Sequence, residues 1–157
     1  MDSKTAVLSL VACLAPMASA QAVKVDHFSQ ADLLEKAQAL SAKAQGPDGS
    51  ASVKIDEYPN HFTMIALRHK DGGAEMHENF ADIFFVVQGH ATLLSGGTIP
   101  DAKSSTSGEV RGSAVEKGEQ TALNLGDVVH IPAGVPHQLL VPKGDTFIYF
   151  VIKVKEK

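Results

Sequence analysis

Residues 126–138 read GDVVHIPAGVPHQ, and the reading of this stretch decides the fold. Gly126-Asp127 is a turn pair. Val128, Val129 and Ile131 form a short β-branched run around His130. Pro132-Ala133-Gly134 turns the chain again, and His137 opens a second run that continues to Val141. Short apolar runs bounded by Gly and Pro are strands joined by a tight connection, because neither run has the length or the period of a helix.

The same rhythm extends outward. Strands are expected over residues 51–57, 61–70, 82–88, 91–94 and 146–154, stopped by Pro59-Asn60, Asp71-Gly72-Gly73, Gly89 and Pro142-Lys143-Gly144-Asp145. Repeated short strands with Gly/Pro/Asp turns and no strand–helix alternation argue an all-β sandwich or barrel with antiparallel pairing. One helix precedes the strands. Ser29 is a good N-cap, Asp32 falls in the first turn, and Leu33, Leu34, Ala37 and Leu40 share a face, so a helix is expected over residues 30–45 until Gly46-Pro47 ends it. Residues 96–121 are rich in Gly, Ser, Thr, Lys and Glu. They read as a surface excursion near the barrel mouth, with Val110 and Val115 as anchors for a short hairpin.

A length of 157 residues suits one domain, and a net charge of −4 supplies no basic patch for nucleic acid. Residues 6–17 are apolar but too short to span a bilayer, and Ala18-Ser19-Ala20 has the form of a cleavage site. Residues 1–20 are therefore expected to be a signal peptide, residues 21–49 an extension with the helix, and residues 50–157 the barrel, in a secreted or periplasmic protein. Leu10-Val11-Ala12-Cys13 offers a second processing route, with a lipid anchor at Cys13. Cleavage after Ala20 would remove the one cysteine, leaving no disulfide. No other segment is long and apolar enough to be a transmembrane helix.

Chemistry concentrates in residues 72–89, GGAEMHENFADIFFVVQG. Glu75 and His77 are two apart and share a face in an extended chain. Asp82 lies five residues past His77, so a bend at residues 78–80 must return it to the same interior. Taken with Gly126, Pro132, Gly134 and His137, which stand at the spacing G-x5-P-x-G-x2-H, the chain resembles the cupin superfamily. The second cupin motif is matched at all four positions. The first, usually written G-x5-H-x-H-x3-4-E-x6-G, is in register counting back from Gly89, with two departures. Glu75 stands where the first histidine is usual and Asp82 where the glutamate is usual, while His77 matches; Gly73 is closer than the motif's first glycine.

The resemblance covers most of the chain after residue 50. It implies a cupin-type double-stranded β-helix, or jelly-roll barrel, with Glu75, His77, Asp82 and His137 around a divalent transition metal. Two imidazoles and two carboxylates suit Mn, Fe, Ni, Zn or Cu, and two histidines with one carboxylate would form a facial triad. Two neighbouring carboxylates disfavour each other's charge unless a cation neutralises them, which is a reason to expect an ion. A free carboxylate, with Glu75 as the candidate, could act as a base. Phe84, Leu139 and Tyr149 are candidate walls for a small-molecule ligand, and ordinary core packing explains them equally well. The resemblance also implies a homodimer. There is no G-x-S-x-G elbow and no Walker loop. The expected function is that of a metal-dependent enzyme acting on a small organic molecule, dioxygenase-like or a lyase or isomerase; the alternative is a non-catalytic small-ligand-binding module.

Overall fold

Ser29 begins the first regular element, and it does so with a reciprocal cap. In the computed structural model, which describes residues 25–156, its hydroxyl accepts from the Asp32 amide at 3.2 Å while the Asp32 carboxylate accepts from the Ser29 amide at 2.8 Å. The expected signal peptide and Cys13 lie outside the described residues. The capped helix α1 (Gln30–Gln38) is shorter than the sequence suggests. The Leu40 amide bonds to the Ala37 carbonyl at 2.9 Å, a three-residue step that tightens the chain and ends the α-helical ladder. A second turn, α2 (Ser41–Ala44), follows.

Eleven strands come next: β1 (Ser50–Glu57), β2 (His61–Arg68), β3 (Ala74–His77), β4 (Phe80–Gln88), β5 (Ala91–Ser95), β6 (Lys103–Ser104), β7 (Glu109–Gly112), β8 (Glu119–Leu123), β9 (Val128–Ile131), β10 (His137–Leu140) and β11 (Phe147–Lys155). They form a five-stranded sheet, β1-β2-β11-β4-β9, facing a six-stranded one, β6-β7-β3-β10-β5-β8. All the pairings are antiparallel.

The excursion expected over residues 96–121 is corrected by this topology. It supplies β6, β7 and the start of β8, and so half of the second sheet. Its apolar content is low because the strands bury little: in β8 only Leu123 is buried, and in β7 only Val110. Val110 does sit in a hairpin, β6–β7. Val115 is a buried anchor whose amide donates to Gln138 Oε1 at 3.0 Å, while Gln138 Nε2 donates to the Gly72 carbonyl at 2.8 Å. Thr98 and Glu116 close a neck at the base of the hairpin through two backbone bonds of 2.9 and 2.8 Å.

Period-two alternation fills the barrel. Phe84 and Val86 of β4, Phe147, Tyr149 and Val151 of β11, and Leu139 of β10 pack between the sheets. The opposite faces of β2 and β11 carry Ile65, Leu67 and Ile148, which pack with Ala37 and Ala44 of the helices. Gly89 joins β4 to β5 at φ +78, and a Cβ there would overlap the Thr146 carbonyl. Gly134 has φ +81 but open space around it. Gly134→Ala is expected to cost about 1–2 kcal/mol, the penalty of left-handed backbone alone. Gly89→Ala should cost distinctly more, because backbone must also move. Urea midpoints of the two variants against wild type check the order.

Candidate metal centre

The site is assembled by register. β3 lies between β7 and β10, so Glu75 stands opposite Arg111 on one side and His137 on the other, and His77 stands opposite Glu109. The chain then leaves the second sheet. After His77 it turns through Glu78 and Asn79 and enters β4 in the first sheet, with the His77 carbonyl held by the Gly134 amide at 2.8 Å. This crossing is the bend that the spacing between His77 and Asp82 requires. Asp82 faces back across the barrel, paired in register with Lys153 of β11.

The four residues expected from the sequence come together, though unequally. Glu75, His77 and His137 each offer a ligand atom within 4.8 Å of the others. Asp82 faces the same space, its Oδ2 lying 3.4 Å from His77 Nε2 and 3.7 Å from His137 Nε2, but it is engaged by Lys153 at 2.7 and 2.9 Å. Both imidazoles present Nε2 to the centre. His77 donates from Nδ1 to Glu109 at 2.8 Å, and His137 donates from Nδ1 to the Val135 carbonyl at 3.0 Å. A neutral ring protonated at Nδ1 has a bare lone pair at Nε2, the form that binds metals. His77 Nε2 is buried with no hydrogen-bond partner. A buried polar atom without a partner calls for an explanation, and a cation is a fitting one.

The electrostatics differ from the expectation that two carboxylates here need an ion. Burial works to raise the Glu75 carboxyl, but Arg111 at 2.6 Å and Arg68 at 3.5 Å outweigh it and hold it below its ordinary value. Burial works to raise Asp82 as well, and the His77 ring and the Lys153 ammonium hold it low. Burial pushes the His137 imidazole down, which keeps it neutral as a donor. The protein's own cations therefore balance its carboxylates. The case for a metal rests on the converging imidazole nitrogens.

A cavity of about 500 Å³ opens onto Glu75, His77 and Asp82. Phe62, Met64, Phe80, Phe84 and Val151 line its apolar side. Tyr149 also lines it, with its phenol oxygen accepting from Arg68 Nε at 3.0 Å and its ring 5.0 Å from Phe84. Burial raises the Tyr149 hydroxyl above its ordinary value, against the pull of Arg68, so it stays protonated. Leu139 lies behind the centre, bordering a void of about 20 Å³ with His137. His130 is exposed on β9. Arg68, Glu109, Arg111 and Lys153 are the site residues that sequence reading missed. The only trace of two of them is the alternation of Glu109 and Arg111 about Val110.

No protein-family model matches the sequence, and no curated protein matches it. Solved structures do match. A conserved protein with a double-stranded β-helix domain from Klebsiella pneumoniae is 16% identical over 84% of this chain and 91% of that one, with a TM-score of 0.57. KdgF from a Halomonas species is 16% identical over 71% and 84%, with a TM-score of 0.51. DMSP lyase DddQ from Ruegeria pomeroyi is 17% identical over 68% of this chain and 47% of that one, with a TM-score of 0.50. The chain thus spans about half the length of DddQ. These likenesses show the fold, a double-stranded β-helix.

Lys153→Met leaves Asp82 as a buried carboxylate without its cation, a change expected to cost about 3–5 kcal/mol at neutral pH. The pH dependence should weaken too. In the metal-free wild type the Asp82 carboxyl is lower folded than unfolded, so its contribution is present above the ordinary value of 3.8 and is lost as pH falls through the folded value. In the variant the His77 ring is left to oppose burial without Lys153, so the folded value rises and the contribution lost as pH falls is smaller. Urea unfolding of both proteins with chelator present, across that range, reads the difference.

Proposed function

We propose that the protein is a divalent-metal-dependent enzyme acting on a small organic molecule, with Glu75, His77 and His137 holding the ion and Asp82 beside it. The observation that carries this reading is the convergence of two Nε2 lone pairs and a carboxylate within 4.8 Å, one of the nitrogens being buried without a partner. When bound, the ion supplies a Lewis acid or a site for oxygen, so dioxygenase-like, lyase and isomerase chemistry all fit. The mixed N/O donor set accepts Mn, Fe, Ni, Zn or Cu. A lyase among the similar structures supports elimination as a reaction class.

The chain's own groups divide the remaining work. Glu75 directs Oε2 toward His77 Nε2, at 3.6 Å, and Oε1 toward Arg111 and Arg68, which makes it a ligand more than a base. Asp82 Oδ2 faces both imidazoles and is the carboxylate placed to accept a proton, with Lys153 beside it to share the charge. Phe62, Phe80 and Phe84 exclude water on one side of the cavity and suit an apolar body. Lys43, Arg68, Arg111 and Lys153 line the cavity against Glu75, Asp82 and Glu109, four cations against three carboxylates. A divalent ion adds to that excess, so a substrate with an anionic head group fits best.

The second reading is a non-catalytic cupin that binds a small ligand. It is favoured by the pairing of each centre carboxylate with a protein cation, which leaves neither carboxylate in need of a metal for charge. Export through residues 1–20 and a homodimeric assembly belong to the proposal, and among the described residues no helix is long and apolar enough to cross a membrane.

Elemental analysis decides between the readings first. Purified protein incubated with Mn, Fe, Ni, Cu and Zn salts should retain about one ion per chain, as one set of donors requires, and His77→Ala and His137→Ala should each lose it. A wild type that retains none removes the metal-dependent enzyme. Turnover of a small organic anion, abolished in the same two variants, would separate catalysis from simple binding.

A further inference from the structure

We infer that Glu109 and Arg111 of β7 are positioning residues for the two ligands of β3, and that Arg111 is the reason position 75 carries a carboxylate. The inference rests on the proposed metal-dependent function. β7 runs beside β3 with Glu109 opposite His77 and Arg111 opposite Glu75. Glu109 receives the His77 Nδ1 proton between its two oxygens, at 2.8 and 2.9 Å. That contact fixes the tautomer and turns Nε2 to the centre, and an ionised acceptor also makes the imidazole a stronger donor to metal.

Arg111 couples the two ligands. One terminal nitrogen lies 2.7 Å from Glu109 Oε2 and the other 2.6 Å from Glu75 Oε1. A planar guanidinium has a fixed angle between these nitrogens, so it sets the distance between the two carboxylates it spans. Arg68 approaches the same Oε1 at 3.5 Å, which leaves Glu75 Oε2 as the oxygen facing His77. Position 75 is thus flanked by two guanidiniums. A histidine there that turned its one acceptor nitrogen to the ion would offer the two guanidiniums only an N–H, whereas glutamate answers both and still turns one oxygen inward. The departure from the family pattern is matched by a cation from the neighbouring strand.

The test is Co(II) titration of the full-length protein, followed by the visible spectrum, which reports donor set and coordination number. Glu109→Gln and Arg111→Gln should each weaken Co(II) binding roughly 10- to 100-fold, the usual range for a group that orients a ligand. Glu75→His should bind poorly, and Glu75→His combined with Arg111→Gln should recover affinity, a rescue that a merely structural role would not give. Circular dichroism of the metal-free variants monitors folding. Arg111 is half-exposed, so its variant keeps the test open if the Glu109 variant does not fold. Variants within about twofold of wild type overturn the positioning role alone. A failure of the double variant to regain affinity overturns the account of position 75. A wild type that takes up no Co(II) overturns the proposed function, and this inference with it.

Discussion

Charge inside the barrel has to be paired, and the arrangement of this protein follows from how that is done. Glu75, Asp82 and Glu109 face the space between the sheets, and Arg68, Arg111 and Lys153 meet them there. Removing a carboxylate from water costs several kcal/mol unless a partner compensates it. Each partner here comes from a different strand from the carboxylate it faces, except that Arg111 also meets Glu109 of its own strand. The pairs therefore form together only when β2, β3, β4, β7 and β11 are all in register. A one-residue slip would turn a charge outward and leave its partner buried alone. Polar complementarity thus acts as a register check on strands that apolar alternation by itself would fix less firmly.

The crossing between β3 and β4 converts this pairing into a site. A single straight strand cannot point His77 and Asp82 to the same side. Two strands in facing sheets can, and the turn at Glu78-Asn79 supplies the change of sheet. The histidines then arrive on neighbouring strands of one sheet, with ring centroids 5.2 Å apart, and Asp82 approaches from the opposite one. The helices hold none of the converging donors, and only Lys43 of α2 reaches the cavity wall. Their packing against Ile65, Leu67 and Ile148 seals the reverse face of the first sheet, so that the interior can hold polar groups beside the rings of Phe84 and Tyr149.

The fold was legible because turns and strands alternate strongly. The runs around Val128–Ile131 and residues 146–154 fall where the structure has β9 and β11, and His77 and His137 converge as the motif spacing implies. Two things were not legible, for physical reasons. β6, β7 and β8 bury few side chains, so their alternation leaves little hydrophobic trace, and glycine, serine and lysine in such strands look like loop. The partners of the ligands were hidden as well. A cation that meets a carboxylate by cross-strand register has no fixed sequence distance from it: Arg111 is far along the chain from Glu75, and Lys153 farther still from Asp82. Sequence spacing finds residues that share a strand, whereas the charge balance of this site is a property of strands brought together by folding.

The neck formed by Thr98 and Glu116 has a consequence for how such a centre is tuned. Those two backbone bonds bring the ends of residues 98–116 together, while β7 within that segment pairs with β3. The proposed ligands Glu75, His77 and His137 all lie outside it, while Glu109 and Arg111, which contact two of them, lie within it. Ligand identity and ligand orientation are therefore carried on separable pieces of the polypeptide. A hairpin of different sequence, grafted at the same neck, would present the same Glu75, His77 and His137 to a different electrostatic surround. The barrel thus has a natural place at which the surround of one set of converging side chains can be changed, provided that the buried Val110 and Val115 are kept.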